Sequence, residues 1–270
     1  MERFRFGHVS DMHLMFSGQP ASEVTKKLMA AGGDPTGAYR RTLEELAAEG
    51  IDALIMTGDL CHEGSEDDYA ALREMTEKYL PGVPVLAAMG NHDVRDAFRK
   101  GFLGDRYGGD HPYCDVMEFP DKGIRFIAID SAWEKGLNGS IGDDQLDWLE
   151  GVIASAQPGT EDILMFHHPV CPMLVPFGME MSPRMERIIR GGRFAALFSG
   201  HVHRICTSFA AGILNIVGQS LAFDIEISGR TCYYTTRGGY NMCEVDSEGE
   251  LFIDSRIVSP KGEIFHKKSF

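Results

Sequence analysis

Long apolar runs are missing from this chain. No stretch approaches the roughly 18 consecutive apolar residues of a membrane-spanning helix, so no span is expected. Close cysteine pairs are missing too. The six cysteines (Cys61, Cys114, Cys171, Cys206, Cys232 and Cys243) lie far apart with no C-x-x-C spacing. A chain long enough to build a real core needs no disulfide framework, and reduced thiols are expected. Basic residues are scarce: Lys and Arg number 26 against 40 Asp and Glu, a formal net charge of −14. Without clustered cations to displace counterions, a groove for long nucleic acid is not expected. A small phosphoester stays open, because bound metal ions reverse the local field. The first residues, Met1-Glu-Arg-Phe-Arg-Phe, enter a strand-like run with no apolar leader and no cleavage site. A cytoplasmic location is the expectation. Repeats, low-complexity tracts and long linkers are absent as well.

What is there fits an α/β architecture. The 270 residues suit one large domain, and 43% hydrophobic residues supply its core. Strand-like and helical segments alternate through about residue 205. Phe4–Ser10, Ala53–Thr57, Val85–Met89, Ile124–Asp130, Ile163–Phe166 and Ala195–Ser199 read as strands. Tyr39–Glu49, Ser65–Tyr79 and Asp143–Ala156 read as helices. Ser65 is placed as an N-cap, with acidic residues in the first turn where the helix dipole favours them. Beyond His203 the segments Cys206–Phe209, Ile213–Val217, Cys232–Thr236, Tyr240–Val245 and Leu251–Ile257 are strand-like and separated by Gly-rich turns. They predict a second, mostly antiparallel sheet from about residue 206, packed on the first half. One domain over residues 1–258 and a loose tail over 259–270 follow from this reading.

Five short segments carry the chemistry. They are Asp11-Met-His13, Gly58-Asp59, Gly90-Asn91-His92-Asp93, His167-His168 and Gly200-His201-Val202-His203. Each stands directly behind an apolar run, at the carboxyl end of a strand, where open α/β sheets bind ligands. In extended chain, residues i and i+2 point to one side, so Asp11 and His13 are expected to reach one ion together. Gly58, Gly90 and Gly200 are expected to supply the tight turns by which the chain leaves the sheet. The segments together offer more hard-metal ligands than one ion can use, which points to a two-metal hydrolase. Two carboxylates against two divalent ions leave the cluster about two charges positive, suited to a phosphodiester anion. The mixed oxygen and nitrogen set without thiolates fits Mn, Fe, Zn or Co.

The order D-x-H, G-D, G-N-H-D, H-H, G-H-x-H, from Phe4 to His203, closely resembles the calcineurin-like metallophosphoesterases. Within that superfamily the length and the His167-His168-Pro169 block look most like the bacterial cyclic-nucleotide and glycerophosphodiester phosphodiesterases. The resemblance implies a four-layer α-β-β-α sandwich of two packed mixed β-sheets flanked by helices. It implies that Asp11, His13, Asp59 and His203 hold a first metal. Asp59 would bridge to a second metal held also by Asn91, His167 and His201. His92 would stay off the metals and contact the phosphate or leaving group. Assembly into a homo-oligomer is a further expectation from resemblance. Two departures bear on the substrate. The family's usual His-His-Pro-Pro is His-His-Pro-Val170 here, and Glu63 stands in the Gly-Asp loop where the protein serine/threonine phosphatases carry an Arg. The missing cation weakens a monoester-dianion clamp.

The expected activity is hydrolysis of a small phosphodiester by a metal-activated hydroxide attacking in line, with His92 assisting the leaving alkoxide. The alternatives are a phosphomonoesterase or nuclease using the same site, or a non-catalytic interaction module on the same fold. Several side chains have two readings. Asp93 either orients His92 or caps the following helix. His168 either touches substrate or packs a loop, and His62 either reaches the phosphate or is a solvated loop residue. His8, inside the first strand, reads as a satisfied core residue. The apolar segment Cys171–Pro183 either lines a substrate pocket or forms a subunit contact.

Overall fold

The computed structural model describes residues 3–16, 22–105, 107–133, 136–171 and 177–269. Two mixed sheets lie face to face. The first has the order β13-β12-β1-β2-β3, built from β1 (Phe4–Val9), β2 (Ala53–Thr57), β3 (Val85–Ala88), β12 (Gly238–Val245) and β13 (Leu251–Ser259). Its strands β1, β2 and β3 run parallel, and β12 and β13 are antiparallel additions. The second has the order β4-β5-β6-β7-β9-β8, from β4 (Asp115–Phe119), β5 (Ile124–Ala128), β6 (Glu161–Met165), β7 (Phe194–Ser199), β8 (Cys206–Ala210) and β9 (Ile213–Val217). Here β5, β6, β7 and β9 are parallel, and β4 and β8 close the edges antiparallel.

Alternation of side chains along each strand sorts the core into three apolar layers. Phe4, Phe6, Ile55, Phe126, Ile163, Phe198 and Cys243 meet between the sheets. The intervening residues face helices. Val9, Leu54, Met56 and Ala87 pack on Tyr39, Leu43 and Leu46 of α2 (Pro35–Glu49), on Tyr69 and Leu72 of α3 (Glu66–Tyr79), and on Phe98 of α4 (Arg95–Gly101). On the other side, Ile127, Leu164 and Leu197 pack on α5 (Asp143–Ala154) and α6 (Pro183–Gly191). The result is the expected α-β-β-α sandwich. Strands covered on both faces read as continuous apolar runs, which is why these segments stood out in the sequence. Local signals hold as well: Ser65 caps α3 in a capping box with Asp68, and Asp34 caps α2 ahead of Pro35.

The chain from about residue 206 departs from expectation. Its strands do not form one separate sheet. β12 and β13 complete the first sheet and β8 and β9 the second. β10 (Asp224–Ser228), β11 (Thr231–Thr235) and β14 (Ile264–Ser269) make a small third sheet in the order β10-β11-β14. The second sheet therefore begins at β4, well before residue 206. The physical reason is that β12 is buried on both faces, which only an interior strand position satisfies. The residues expected as a loose tail include β14, because Phe265 packs edge-on to Phe223 and Tyr234. α1 (Glu23–Ala30) contributes Leu28 to the same small cluster. Among the described residues no helix is long and apolar enough to cross a membrane.

Two buried ion pairs lie within this framework, one between neighbouring strands of the second sheet and one between α4 and the loop after β5. Arg125 meets Asp162 through Nε at 2.7 Å and a second guanidinium nitrogen at 3.0 Å. Arg95, at the start of α4, grips Asp130 just beyond β5 through Nε at 2.6 Å and a second nitrogen at 2.8 Å, and both partners are almost wholly buried. Asp130 also accepts the amides of Tyr113 and Ala132. Removing one partner of such a pair strands a charge in the interior. Arg95→Met is therefore expected to cost about 3–5 kcal/mol of stability, read from urea unfolding, and a second change, Asp130→Asn, is expected to recover part of the loss.

Candidate metal centre

The five motif segments converge at the carboxyl ends of β1, β2, β3, β6 and β7. Asp11, His13, Asp59 and His203 are buried, and one ligand atom from each lies within 4.8 Å of the others. His13 Nε2 is 3.1 Å from His203 Nε2 and 3.4 Å from Asp59 Oδ2, and His203 Nε2 is 3.3 Å from Asp11 Oδ1. A second group adjoins the first. His167 Nε2 lies 3.2 Å from Asn91 Oδ1, 3.2 Å from His201 Nδ1 and 3.5 Å from Asp59 Oδ2. Asp59 thus stands between two sets of donors, and all seven side chains named from the sequence come together.

The backbone that presents them is unusual. Asp11, His13, Asp59, His201 and His203 all have positive φ, between 43° and 71°, although none is glycine. Left-handed backbone costs about 1–3 kcal/mol for such residues and concentrates at functional sites. Asp11 and His13 are therefore not on extended chain as expected. They reach one another because two left-handed residues turn the chain back after β1, with His13 N donating to Asp59 O at 2.8 Å and Asp11 N to Gly58 O at 3.0 Å.

The motif glycines also act differently from expectation. Gly58 does turn the chain, at φ 89°. Gly90 and Gly200 instead allow close approach. A β-carbon on Gly90 would collide with Asp59 Oδ1 and the Asp59 amide, and one on Gly200 would collide with Ser10 Oγ and Asp11 Oδ2.

Electrostatics match a cation site. Burial opposes ionisation of Asp11 and Asp59, yet neighbouring imidazoles, His203 for Asp11 and His167 with His13 for Asp59, outweigh it and hold both well below the usual carboxylate range. Among the described residues no Lys or Arg pairs with either carboxylate, and their ion-pair partners are histidines. Burial likewise works against a charged imidazole at His167, but the Asp59 charge pushes it up to about 9. His203 is raised for the same kind of reason, with Asp11 overcoming its burial. His201, buried beside His167, falls to about 4. Two buried anions that draw protons onto their imidazoles, with oxygen and nitrogen donors throughout and no thiolate, fit borderline divalent ions.

The defining pattern of the calcineurin-like phosphoesterases matches residues 4–204. The chain belongs to that family. A relative named probable cyclic nucleotide phosphodiesterase, from Rhodococcus erythropolis, is 34% identical over 83% of this chain and 74% of that protein. Another, named cAMP/cGMP dual specificity phosphodiesterase, from Mycobacterium tuberculosis, is 30% identical over 84% of this chain and 67% of that one. A dimetal phosphatase from Danio rerio is similar in fold, with a TM-score of 0.63 and 15% identity, covering 95% of this chain and 98% of that chain.

Around the cluster, this phosphoesterase places four further histidines outside the two donor sets. His92 is half-buried; its amide donates to Asp59 Oδ1 at 2.9 Å and its ring lies 5.2 Å from that of His13. His62 is mostly buried, with Nδ1 3.0 Å from His13 Nδ1 and its ring stacked on His92 at 4.5 Å. His168 is fully buried and has both ring nitrogens engaged, by Ser131 Oγ at 3.1 Å and Gly136 O at 3.2 Å. His8 is a satisfied core residue between Thr57 and Asn241, and burial lowers it to about 3.

Asp93 does not cap α4, whose N-cap Val94 has no side-chain bond. Its carboxylate accepts from the amides of Gly90, Leu60 and Cys61 and from Tyr69 Oη at 2.7 Å, and so ties the Gly-Asp loop to the Gly-Asn-His-Asp loop. Burial, then the Asp59 charge, raises it to about 6. Ser131 is a supporting residue that sequence reading missed. It follows β5 at the same kind of strand end but carries no ligand, and its Oγ accepts the amides of His167 and His168. Of the apolar segment Cys171–Pro183, residues 172–176 lie outside the described residues, and Met179 belongs to the core under α5 and α6.

The Gly90 contact gives a direct test of how tightly the two loops are packed. Gly90→Ala is expected to displace the Asp59 carboxylate and lower bound metal per chain, measured by elemental analysis after reconstitution, while circular dichroism still reports the wild-type fold.

Proposed function

We propose that this chain is a binuclear metal-dependent phosphodiesterase acting on small diesters of the cyclic-nucleotide or glycerophosphodiester class. The observation that carries the reading is the position of Asp59, whose Oδ2 is within 3.5 Å of an imidazole from each donor set. Asp11, His13, Asp59 and His203 would hold one ion, and Asp59, Asn91, His167 and His201 the other. Mn, Fe, Zn or Co suits this donor set. When bound, such ions polarise the phosphate and lower the pKa of water at the site.

The chain's own residues supply the rest. Asp59 is kept in orientation by the His92 amide on its other oxygen. The His92 ring belongs to neither donor set and lies beside His13, a position that supports proton donation to the departing alkoxide. His168 has no free ring nitrogen for a substrate, and we assign it to packing the loop beneath His167. Glu63, with its amide bonded to His92 O, places no cation over the site, which favours a diester monoanion over a monoester dianion. The relatives named as phosphodiesterases support the same substrate class.

The test is a panel of a cyclic nucleotide, a glycerophosphodiester and an aryl diester beside its monoester, after Mn reconstitution. Diester turnover is expected to exceed monoester turnover, and equal or inverted rates would sink the assignment. Asp59→Asn is expected to abolish both metal loading and turnover. His92→Ala is expected to retain both metals and lose roughly 10²–10⁴-fold in kcat, the range of a general acid; unchanged kcat would remove His92 from the mechanism.

A further inference from the structure

An imidazole that gives a lone pair to a cation carries its proton on the other ring nitrogen, and that N–H needs an acceptor to fix the tautomer and the ring. Three of the four histidines in the cluster find backbone carbonyls. His167 Nδ1 meets Thr57 O at 2.8 Å, His203 Nδ1 meets Phe223 O at 2.9 Å, and His201 Nε2 meets Leu137 O at 3.0 Å. The inward atoms are thus Nε2 of His167 and His203 but Nδ1 of His201.

His13 differs. Its Nε2 faces Asp59 and His203, and its Nδ1 meets another imidazole, Nδ1 of His62, at 3.0 Å. Two ring nitrogens at that distance need one proton between them. A lone pair on His13 Nε2 puts that proton on His13 Nδ1. His62 must then accept with a bare Nδ1 and carry its own proton on Nε2. At 9% exposure His62 leaves little room for water to take over the acceptor role.

We propose that His62 is a positioning residue that selects the ligating tautomer of His13 and, by stacking on His92 at 21°, aligns that ring with the same cluster. The inference rests on the metal-centre reading above. His62 links a metal-facing imidazole to the residue placed at the leaving group, with no backbone carbonyl between them. It is a packed partner of the cluster, not a solvated loop residue.

Two replacements separate the hydrogen bond from the stack. His62→Asn puts an amide oxygen where Nδ1 stood, and His62→Phe keeps a ring under His92 but offers no acceptor. Metal affinity, titrated with Mn into metal-free protein, is expected to stay near wild type in H62N and to fall about 10–100-fold in H62F, the usual range for losing such a partner. Long-range ¹H–¹⁵N spectra of histidine-labelled, metal-free wild type are expected to show His13 protonated at Nδ1 and His62 at Nε2. In H62F the His13 tautomers are expected to mix. Equal metal affinity in H62F and wild type, equal losses in H62N and H62F, or a proton on His13 Nε2 in the wild type would each overturn the proposal. Should H62F fail to fold, the wild-type spectrum and the H62N titration still decide. Wild-type protein that takes up no metal would sink the metal-centre reading instead, while the metal-free spectrum continues to test His62.

Discussion

Asp59 is almost wholly buried, with imidazoles on two sides and the His92 amide on its second oxygen. A buried carboxylate without a cationic partner is costly, and here the two carboxylates raise the affinity of His167 and His203 for protons. The same requirement applies to Asp11, whose carboxylate also takes the amide of His201. Placing divalent ions between these groups removes the need for those protons, so metal uptake and proton release are two sides of one charge balance. The rest of the site is arranged around keeping two anions close together in a dry place.

Holding them there takes backbone that few residues adopt willingly. The five left-handed residues of the cluster follow β1, β2 and β7, just beyond the carboxyl ends of these parallel strands. Their conformation is over-determined by neighbouring loops: Asp93 clamps two loops through three amides and a tyrosine hydroxyl, and Ser131 clamps the His167-His168 turn. Each clamp is a buried polar group with its hydrogen-bonding capacity used. The strain and the support belong to one design, since left-handed Asp and His residues relax unless something fixes both sides of the turn.

Much of this was legible from residue order alone. Strand ends, metal-ligand types and the family resemblance all reside in side-chain identity, and the layers follow from apolar runs that can only be buried on both faces. Four things were not legible. The route by which Asp11 and His13 meet depends on φ angles, which an extended-chain rule does not supply. Gly90 and Gly200 are small because of what lies across the loop, a contact between segments far apart in sequence. The pairing of β8 to β14 is not legible either: alternation marks β8, β9, β11, β12 and β13 without naming their neighbours, and it does not mark β10 or β14 at all. The carbonyls of Thr57, Phe223 and Leu137 left no trace at all, for a backbone acceptor has no side-chain signature.

One packing feature has a reach beyond its own corner of the molecule. Phe223 offers its carbonyl to His203, lays its ring 5.6 Å from that of His13, and is itself wedged against Tyr234 and Phe265. The hindmost strand of the described chain is therefore a mechanical backstop for a donor cluster whose side chains come from as far back in sequence as Asp11. A change in β14 bears on that aromatic wedge, and through it on the side chains that surround the donor cluster.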